Sequence, residues 1–237
     1  MRIALAAAAY QDGNVAHNLD KMLRFMGMAK AAGTDLVCFG EAFLQGFDAL
    51  CWDYQIDKDR ALPVDAEPVK ALCEATKTYQ IDLLFGFLEK SGEEIYSSCA
   101  LVSAGRIVHL YRRISKGWKE YTRTDCHYKE GTEVPAFTYN GKRALIAICG
   151  DLWDYPERFR LGQDILLWPV LIGYTPEEWY GQTELEYAQQ AQKVCDRVLM
   201  INSISGTDAF GGCWDFEGGQ IRASIPMGQE GLLFVDI

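Results

Sequence analysis

Two short runs without a polar residue, Leu36-Val37-Cys38-Phe39 and Ile146-Ala147-Ile148-Cys149, constrain this chain most strongly. Neither has the alternate polar positions of a half-exposed strand, so each reads as a strand covered on both faces. A sheet of that kind needs layers above and below it. With 237 residues, 49% of them apolar, the chain can supply a sizeable core without covalent staples.

The rest of the pattern places those strands in an α/β protein. Residues 3–9 read as a first strand; Gln11-Asp12-Gly13 follows too soon for the run to be a secretory signal. Residues 14–32 carry Val15, Leu19, Met22, Met26 and Ala29 at helical spacing, and Gly33 suits a left-handed stop. A second helix is predicted over 68–79, with Val69, Leu72 and Ala75 on one side, and strands over 82–89, 95–103 and 107–112. Asn140-Gly141 between 136–139 and 143–149 fits a type I′ hairpin. Further on, the pattern predicts a strand over 164–168 closed by Pro169, and a segment near 155–161 with helical character. A long helix over 177–195, a strand over 197–203 and short strands between glycine turns in the tail complete it. Strands interleaved with helices, with hairpins among them, imply mixed sheets. No linker is visible, so 1–237 reads as a single domain.

Charge and cysteine usage exclude several functions. A net charge of −10 gives no electrostatic footprint for nucleic acid or an anionic membrane. No run approaches the roughly 20 apolar residues of a transmembrane helix. The eight cysteines include no C-x-x-C pair, and His17, His109 and His127 stand at no zinc-ligand spacing, so no metal is expected. Most cysteines sit in apolar runs, which suits a reducing, cytoplasmic setting. Phosphate-binding glycine loops and a G-x-S-x-G elbow are absent from the sequence.

Three strand ends carry reactive groups. Phe39-Gly40-Glu41 runs an apolar strand into a carboxylate; partial desolvation would make it a better base, whereas the plain alternative is an exposed loop glutamate. Ile148-Cys149-Gly150-Asp151 delivers a thiol to a strand end, followed by an amide that a ligand can approach closely. A helix start there would favour the thiolate; the plain alternative is core packing. Tyr111-Arg112-Arg113-Ile114-Ser115-Lys116-Gly117-Trp118-Lys119-Glu120 is a basic strand end among aromatics, or a solvated charged face. Ligands of open α/β sheets sit outside the carboxyl ends of strands, where a base, a cation and a thiol can converge. Trp118, Trp153 and Trp168 could wall such a pocket or pack the core.

These segments resemble the nitrilase superfamily of carbon–nitrogen hydrolases over nearly the whole chain. The match runs from Ile3-Ala4-Leu5 through Phe39-Gly40-Glu41 and Phe43-Leu44-Gln45-Gly46-Phe47 to the elbow Ile148-Cys149-Gly150-Asp151-Leu152-Trp153. It continues through Gln163–Pro169, Val198–Ser203 and the tail ending at Ile237. The resemblance implies an α-β-β-α sandwich, a Glu-Lys-Cys triad and hydrolysis of a small amide or N-carbamoyl compound without a cofactor. Glu41 becomes the base and Cys149 the nucleophile; Gly150, Trp153 and Arg113 become oxyanion or substrate contacts. The family's Tyr-Arg-Lys reads Tyr-Arg-Arg here, which puts Arg113 at the lysine position; Lys116 is the preferred lysine and Lys119 the next candidate. Arginine can supply charge but not a proton. A second acid falls on Glu120, with Asp125 as fallback. Where the family usually has proline before its glutamate, this chain has Gly40. The resemblance further implies a homodimer, with Trp179, Tyr180 and Tyr187 available for its interface. The competing readings are a non-catalytic binding protein with an altered triad and a redox sensor built on Cys149.

Overall fold

Neighbouring residues of the first strand, β1 (Arg2–Ala7), face two different cores. Ile3, Leu5 and Ala7 join one cluster, while Ala4 and Ala6 join another. The next strand, β2 (Leu36–Cys38), divides the same way, with Leu36 and Cys38 on one side and Val37 on the other. Both are covered on two faces, as the absence of polar positions predicts. The structure, a computed structural model, describes residues 1–206 and 208–237.

Two six-stranded mixed sheets result. The first adds β3 (Asp82–Ser91), β4 (Glu94–Ser103), β5 (Arg106–Arg112) and β12 (Gly231–Asp236), in the order β12-β1-β2-β3-β4-β5. Its β1, β2 and β3 are parallel, and its other pairings are antiparallel. The second sheet contains β6 (Phe137–Tyr139), β7 (Lys142–Ile146), β8 (Ile165–Val170), β9 (Arg197–Ile204), β10 (Phe210–Glu217) and β11 (Gln220–Ile225), in the order β11-β10-β9-β8-β7-β6. Here β7, β8 and β9 are parallel. Leu5, Cys38 and Leu84 of the first sheet share a core with Leu145, Leu167 and Met200 of the second.

Helices α1 (Val15–Ala31) and α3 (Glu67–Tyr79) pack on the first sheet through Met22, Phe25, Met26, Val69 and Leu72. The short α2 (Tyr54–Asp57) belongs to a loop between them. Asn14 caps α1 by accepting from the His17 amide at 3.2 Å, and Gly33 closes it at φ +73°. Asn140 and Gly141 both adopt positive φ in the β6–β7 hairpin. The architecture is the α-β-β-α sandwich with mixed sheets that the resemblance implied.

Four expectations change. Pro169 does not end its strand: β8 runs through it to Val170, and the proline carbonyl accepts from Cys149 N at 3.0 Å. The long helix over 177–195 is broken, with α5 at Pro176–Glu178 and α6 at Glu184–Gln192. Between them Tyr180 is extended and Gly181 has φ +108°, a backbone state that helical spacing does not reveal. The segment near 155–161 forms only a 3₁₀ turn at Pro156–Phe159, after the single helical turn α4 (Asp151–Asp154). Trp179 and Tyr187, expected as interface aromatics, are buried in the core; Tyr180 is exposed.

Candidate active site

Glu41 lies just beyond β2, in a loop that crosses β3 closely. At Gly86 of β3, a Cβ would stand 2.5 Å from the Gly40 carbonyl and 2.7 Å from Glu41 Cα, so this crossing requires glycine. Glu41 is 1% exposed. Its Oε1 accepts from Ser97 Oγ at 2.8 Å and from Arg113 Nη1 at 2.9 Å, and its Oε2 is buried with no hydrogen-bond partner among the described residues. The neighbouring Gly40 also has a steric reason. A Cβ there would overlap Ser203 Oγ and stand 3.1 Å from the Val170 carbonyl.

Arg113 follows β5 and is 4% exposed. Its amide donates to Ser97 O at 2.9 Å, and its Nε donates to Ser115 Oγ at 2.8 Å. The third nitrogen, Nη2, lies beside the cysteine elbow: a Cβ at Gly150 would be 2.8 Å from it, and one at Gly117 would be 3.3 Å away. Burial lowers the pKa of the guanidinium, but Glu41, Cys149 and Asp151 outweigh it and raise the value above ordinary arginine. The side chain therefore carries a fixed positive charge from Glu41 to the elbow.

Cys149 turns the chain sharply after β7, with φ +44° in the left-handed region that non-glycine residues rarely adopt. The second sheet holds it there. Its amide donates to Pro169 O at 3.0 Å, its carbonyl accepts from Trp168 Nε1 at 2.9 Å, and its thiol lies 3.5 Å from Leu171 O. Burial pushes the thiol up to about 11; Arg113 pulls it down, while Glu41 adds to the rise. This corrects the expectation of a thiolate favoured by a helix start, because α4 is a single turn and desolvation dominates. Desolvation thus favours the neutral thiol form of Cys149.

Asp151 locks the elbow to the Arg113 segment. It is fully buried; Oδ1 accepts from the Ile114 and Ser115 amides at 3.1 and 2.8 Å. Its Oδ2 accepts from Ile148 N at 2.8 Å and Tyr111 Oη at 2.6 Å. Burial raises its carboxyl above the usual aspartate range, against the pull of Arg113 and these hydrogen bonds.

The structure thus brings Glu41, Arg113, Cys149 and Gly150 together. It places Lys116 on the exposed surface, its Nζ 5.9 Å from the Tyr121 ring centroid. Lys119 pairs with Glu130 at 2.9 Å and donates to Tyr128 O. Glu120 is exposed, and its backbone carbonyl accepts from Thr124 in a local turn. Asp125 is also exposed, 2.9 Å from His127 Nδ1; its carboxylate, Cys126 and His127 bring their ligand atoms within 4.8 Å of one another on the surface. Trp153 is 41% exposed and packs edge-on against Tyr187, whereas Trp118 and Trp168 are buried. Sequence reasoning missed Ser97 and Ser115, which no motif marks. Asp151 did carry a signal, an acid directly after a buried strand and its elbow.

The carbon–nitrogen hydrolase family profile matches residues 2–192, and the chain belongs to that family. It is 29% identical over 172 residues to an (R)-stereoselective amidase of Pseudomonas sp., covering 70% of this chain and 59% of the amidase. It is 26% identical over 157 residues to a glutamine-dependent NAD(+) synthetase of Thermotoga maritima, covering 66% of this chain but 27% of the synthetase. The chain thus spans less than two thirds of the length of these relatives. A solved amidase of Nesterenkonia sp. superposes with a TM-score of 0.83 at 20% identity, over 100% of this chain and 90% of that one, a likeness of fold. Among the described residues, no helix is long and apolar enough to cross a membrane.

Proposed function

We propose that this protein hydrolyses the carbon–nitrogen bond of a small aliphatic amide or N-carbamoyl compound, with Glu41 as base, Cys149 as nucleophile and Arg113 in the place of the family lysine. The observation that carries this reading is the Arg113 guanidinium, held by Glu41 on one side and abutting Gly150 on the other. The free amidase and nitrilase relatives support the reaction class, and so does the orphan Oε2 of Glu41, a buried acceptor with room for a proton.

Glu41 takes the Cys149 thiol proton as Sγ attacks the carbonyl carbon. The carbonyl π-electrons move to oxygen, and Arg113 with the Gly150 amide stabilises that charge. The carbon–nitrogen bond then breaks as Glu41 returns the proton to nitrogen, so ammonia or an amine leaves and a thioester remains. Water gives a proton to Glu41 and adds to the thioester carbon. Collapse breaks the carbon–sulfur bond, restores the thiol with that proton and frees the acid. No step asks the cation for a proton, so arginine's inability to deprotonate is no obstacle.

The reading extends to a homodimer, supported by exposed Tyr180 and Leu185 near the end of the second sheet, and to a reducing cytoplasmic setting, supported by eight unpaired cysteines. The test is ammonia release from small amides, N-carbamoyl amino acids and nitriles, run beside Cys149→Ala. Release that disappears in the variant is expected. A folded protein that releases none from any of them would return the weight to a non-catalytic binding role.

A further inference from the structure

The link from Cys149 to Gly150 is one peptide unit with two different ends. Its carbonyl belongs to Cys149 and its N–H to Gly150. The bond is trans, so the unit is planar and its carbonyl and N–H point in opposite directions. Whatever fixes the one therefore aims the other.

The carbonyl end has a single holder. Cys149 O accepts from Trp168 Nε1 at 2.9 Å and from no other donor among the described residues. The other tethers of Cys149 act elsewhere: its amide, part of the preceding peptide, donates to Pro169 O, and its thiol lies against Leu171 O. Trp168 is itself held firmly. It is fully buried, and its ring stacks on Tyr187 of α6 at 5.5 Å and 23°. Tyr187 in turn meets Trp153 of α4 edge-on at 4.9 Å.

The N–H end is open. Gly150 is half-buried, and its N–H donates to no acceptor among the described residues. This N–H points away from Trp168, and the Arg113 guanidinium lies against Gly150, 2.8 Å from where a Cβ would stand. An unpaired N–H beside a fixed cation is the pair of donors that the proposed reaction needs at its developing oxyanion. The local backbone does not secure this orientation by itself. Cys149 holds φ +44°, a state that its side chain disfavours, and Gly150 has no Cβ to resist rotation of the peptide. A rotated peptide would present a carbonyl oxygen to the site, an acceptor where a donor is needed.

We infer that Trp168 is a positioning residue: by holding the Cys149 carbonyl, its indole N–H aims the Gly150 amide at the oxygen of the substrate. The inference rests on the hydrolase reading above and adds to it the group that aligns its oxyanion donor.

The test compares wild type, Trp168→Phe and a protein with 3-benzothienylalanine installed at position 168, which keeps the bicyclic ring but has sulfur in place of the N–H. The substrate is the amide that wild type turns over best in the ammonia-release panel. Both changes should lower kcat about ten- to hundredfold, up to the effect of losing one oxyanion donor, while KM moves less than about threefold. The same proteins are then treated with methyl methanethiosulfonate. Cys149 Sγ attacks the sulfenyl sulfur, a disulfide forms, methanesulfinate leaves and Glu41 takes the thiol proton, so no oxyanion develops. Labelling at Cys149, followed by peptide mass spectrometry, should stay within about threefold of wild type, because that reaction makes no use of the Gly150 amide. A labelling rate that changes as much as kcat would make Trp168 a support of the elbow as a whole and overturn the inference. A loss carried by KM, or full activity in the benzothienyl protein, would also overturn it, and in each case turnover by wild type leaves the hydrolase reading intact. No turnover of any amide by wild type sinks both.

Discussion

Removing Arg113 isolates the physics of the site. Arg113→Met keeps much of the side-chain length but strands Glu41, a carboxylate that is 1% exposed, with one remaining hydrogen bond from Ser97. Losing one partner of a buried ion pair costs about 3–5 kcal/mol, because the other charge is left without compensation. Both side chains here lie at the buried end of that range, at 4% and 1% exposure. Glu41→Gln in the same background removes the stranded charge and keeps an acceptor for Ser97. The double variant should therefore lose clearly less than the sum of the two single losses, with a coupling of about 2 kcal/mol or more. Urea unfolding of the wild type and three variants gives the cycle, with equal m-values required for the comparison. Additivity within about 0.5 kcal/mol would show that the pair is not energetically coupled and would refute the placement of Arg113 as the partner of Glu41. Arg113→Lys keeps the charge but cannot span both Glu41 and Ser115, so it should fall between wild type and Arg113→Met.

Other consequences are open to measurement. The folded thiol of Cys149 lies near 11, above its ordinary value of 9.0, so the folded state holds that proton more tightly than the unfolded chain. Wild type should lose stability relative to Cys149→Ser as pH rises from about 9 to about 11, with no difference from this group below 9; flat relative melting temperatures across that window would contradict it. Asp151→Asn turns a donor toward the Ile148 amide and should cost about 2–3 kcal/mol in urea unfolding; an unchanged midpoint would remove Asp151 as the lock of the elbow. Gly40→Ala forces a methyl onto Ser203 and the Val170 carbonyl and should cost about 1–3 kcal/mol, partly recovered by adding Ser203→Gly. Failure of the second change to recover anything would place the strain elsewhere.

The sandwich was legible where each residue's environment follows from its own neighbours in sequence. The apolar run without polar alternation marked β2, and Asn140-Gly141 marked the hairpin, because a turn is a local affair; the strand read over 143–149 instead ends at Ile146, and Ala147–Cys149 already belong to the elbow. The break between α5 and α6 was not legible: Trp179 before the kink and Tyr187, Ala188 and Ala191 after it keep helical spacing, and only the backbone of Tyr180 and Gly181 interrupts it. The cation was harder still. Motif spacing allowed Arg113, Lys116 and Lys119 in turn, and the choice depends on which side chain points between the sheets. Arg113 lies in register to do so; Lys116, three residues along a loop, faces outward. Ser97 was hidden for a related reason: a serine in a strand has no pattern of its own, and its partner is 56 residues away.

Cys149 is tethered to the second sheet, through Pro169, Trp168 and Leu171, whereas Glu41 and Arg113 are carried by the first. The seam between the sheets therefore runs through the candidate site. A slip of one sheet over the other by about 1 Å leaves every strand ladder intact yet moves Cys149 away from Glu41, enough to lower by about a hundredfold the rate of the reaction proposed for them. Turnover by the proposed mechanism would work as a gauge of how tightly the two halves are docked. Warming or mild denaturant should silence it while the circular dichroism of the strands is still unchanged, and residues deep in the shared core, such as Leu84 or Leu145, become adjusting screws for a reaction they never touch.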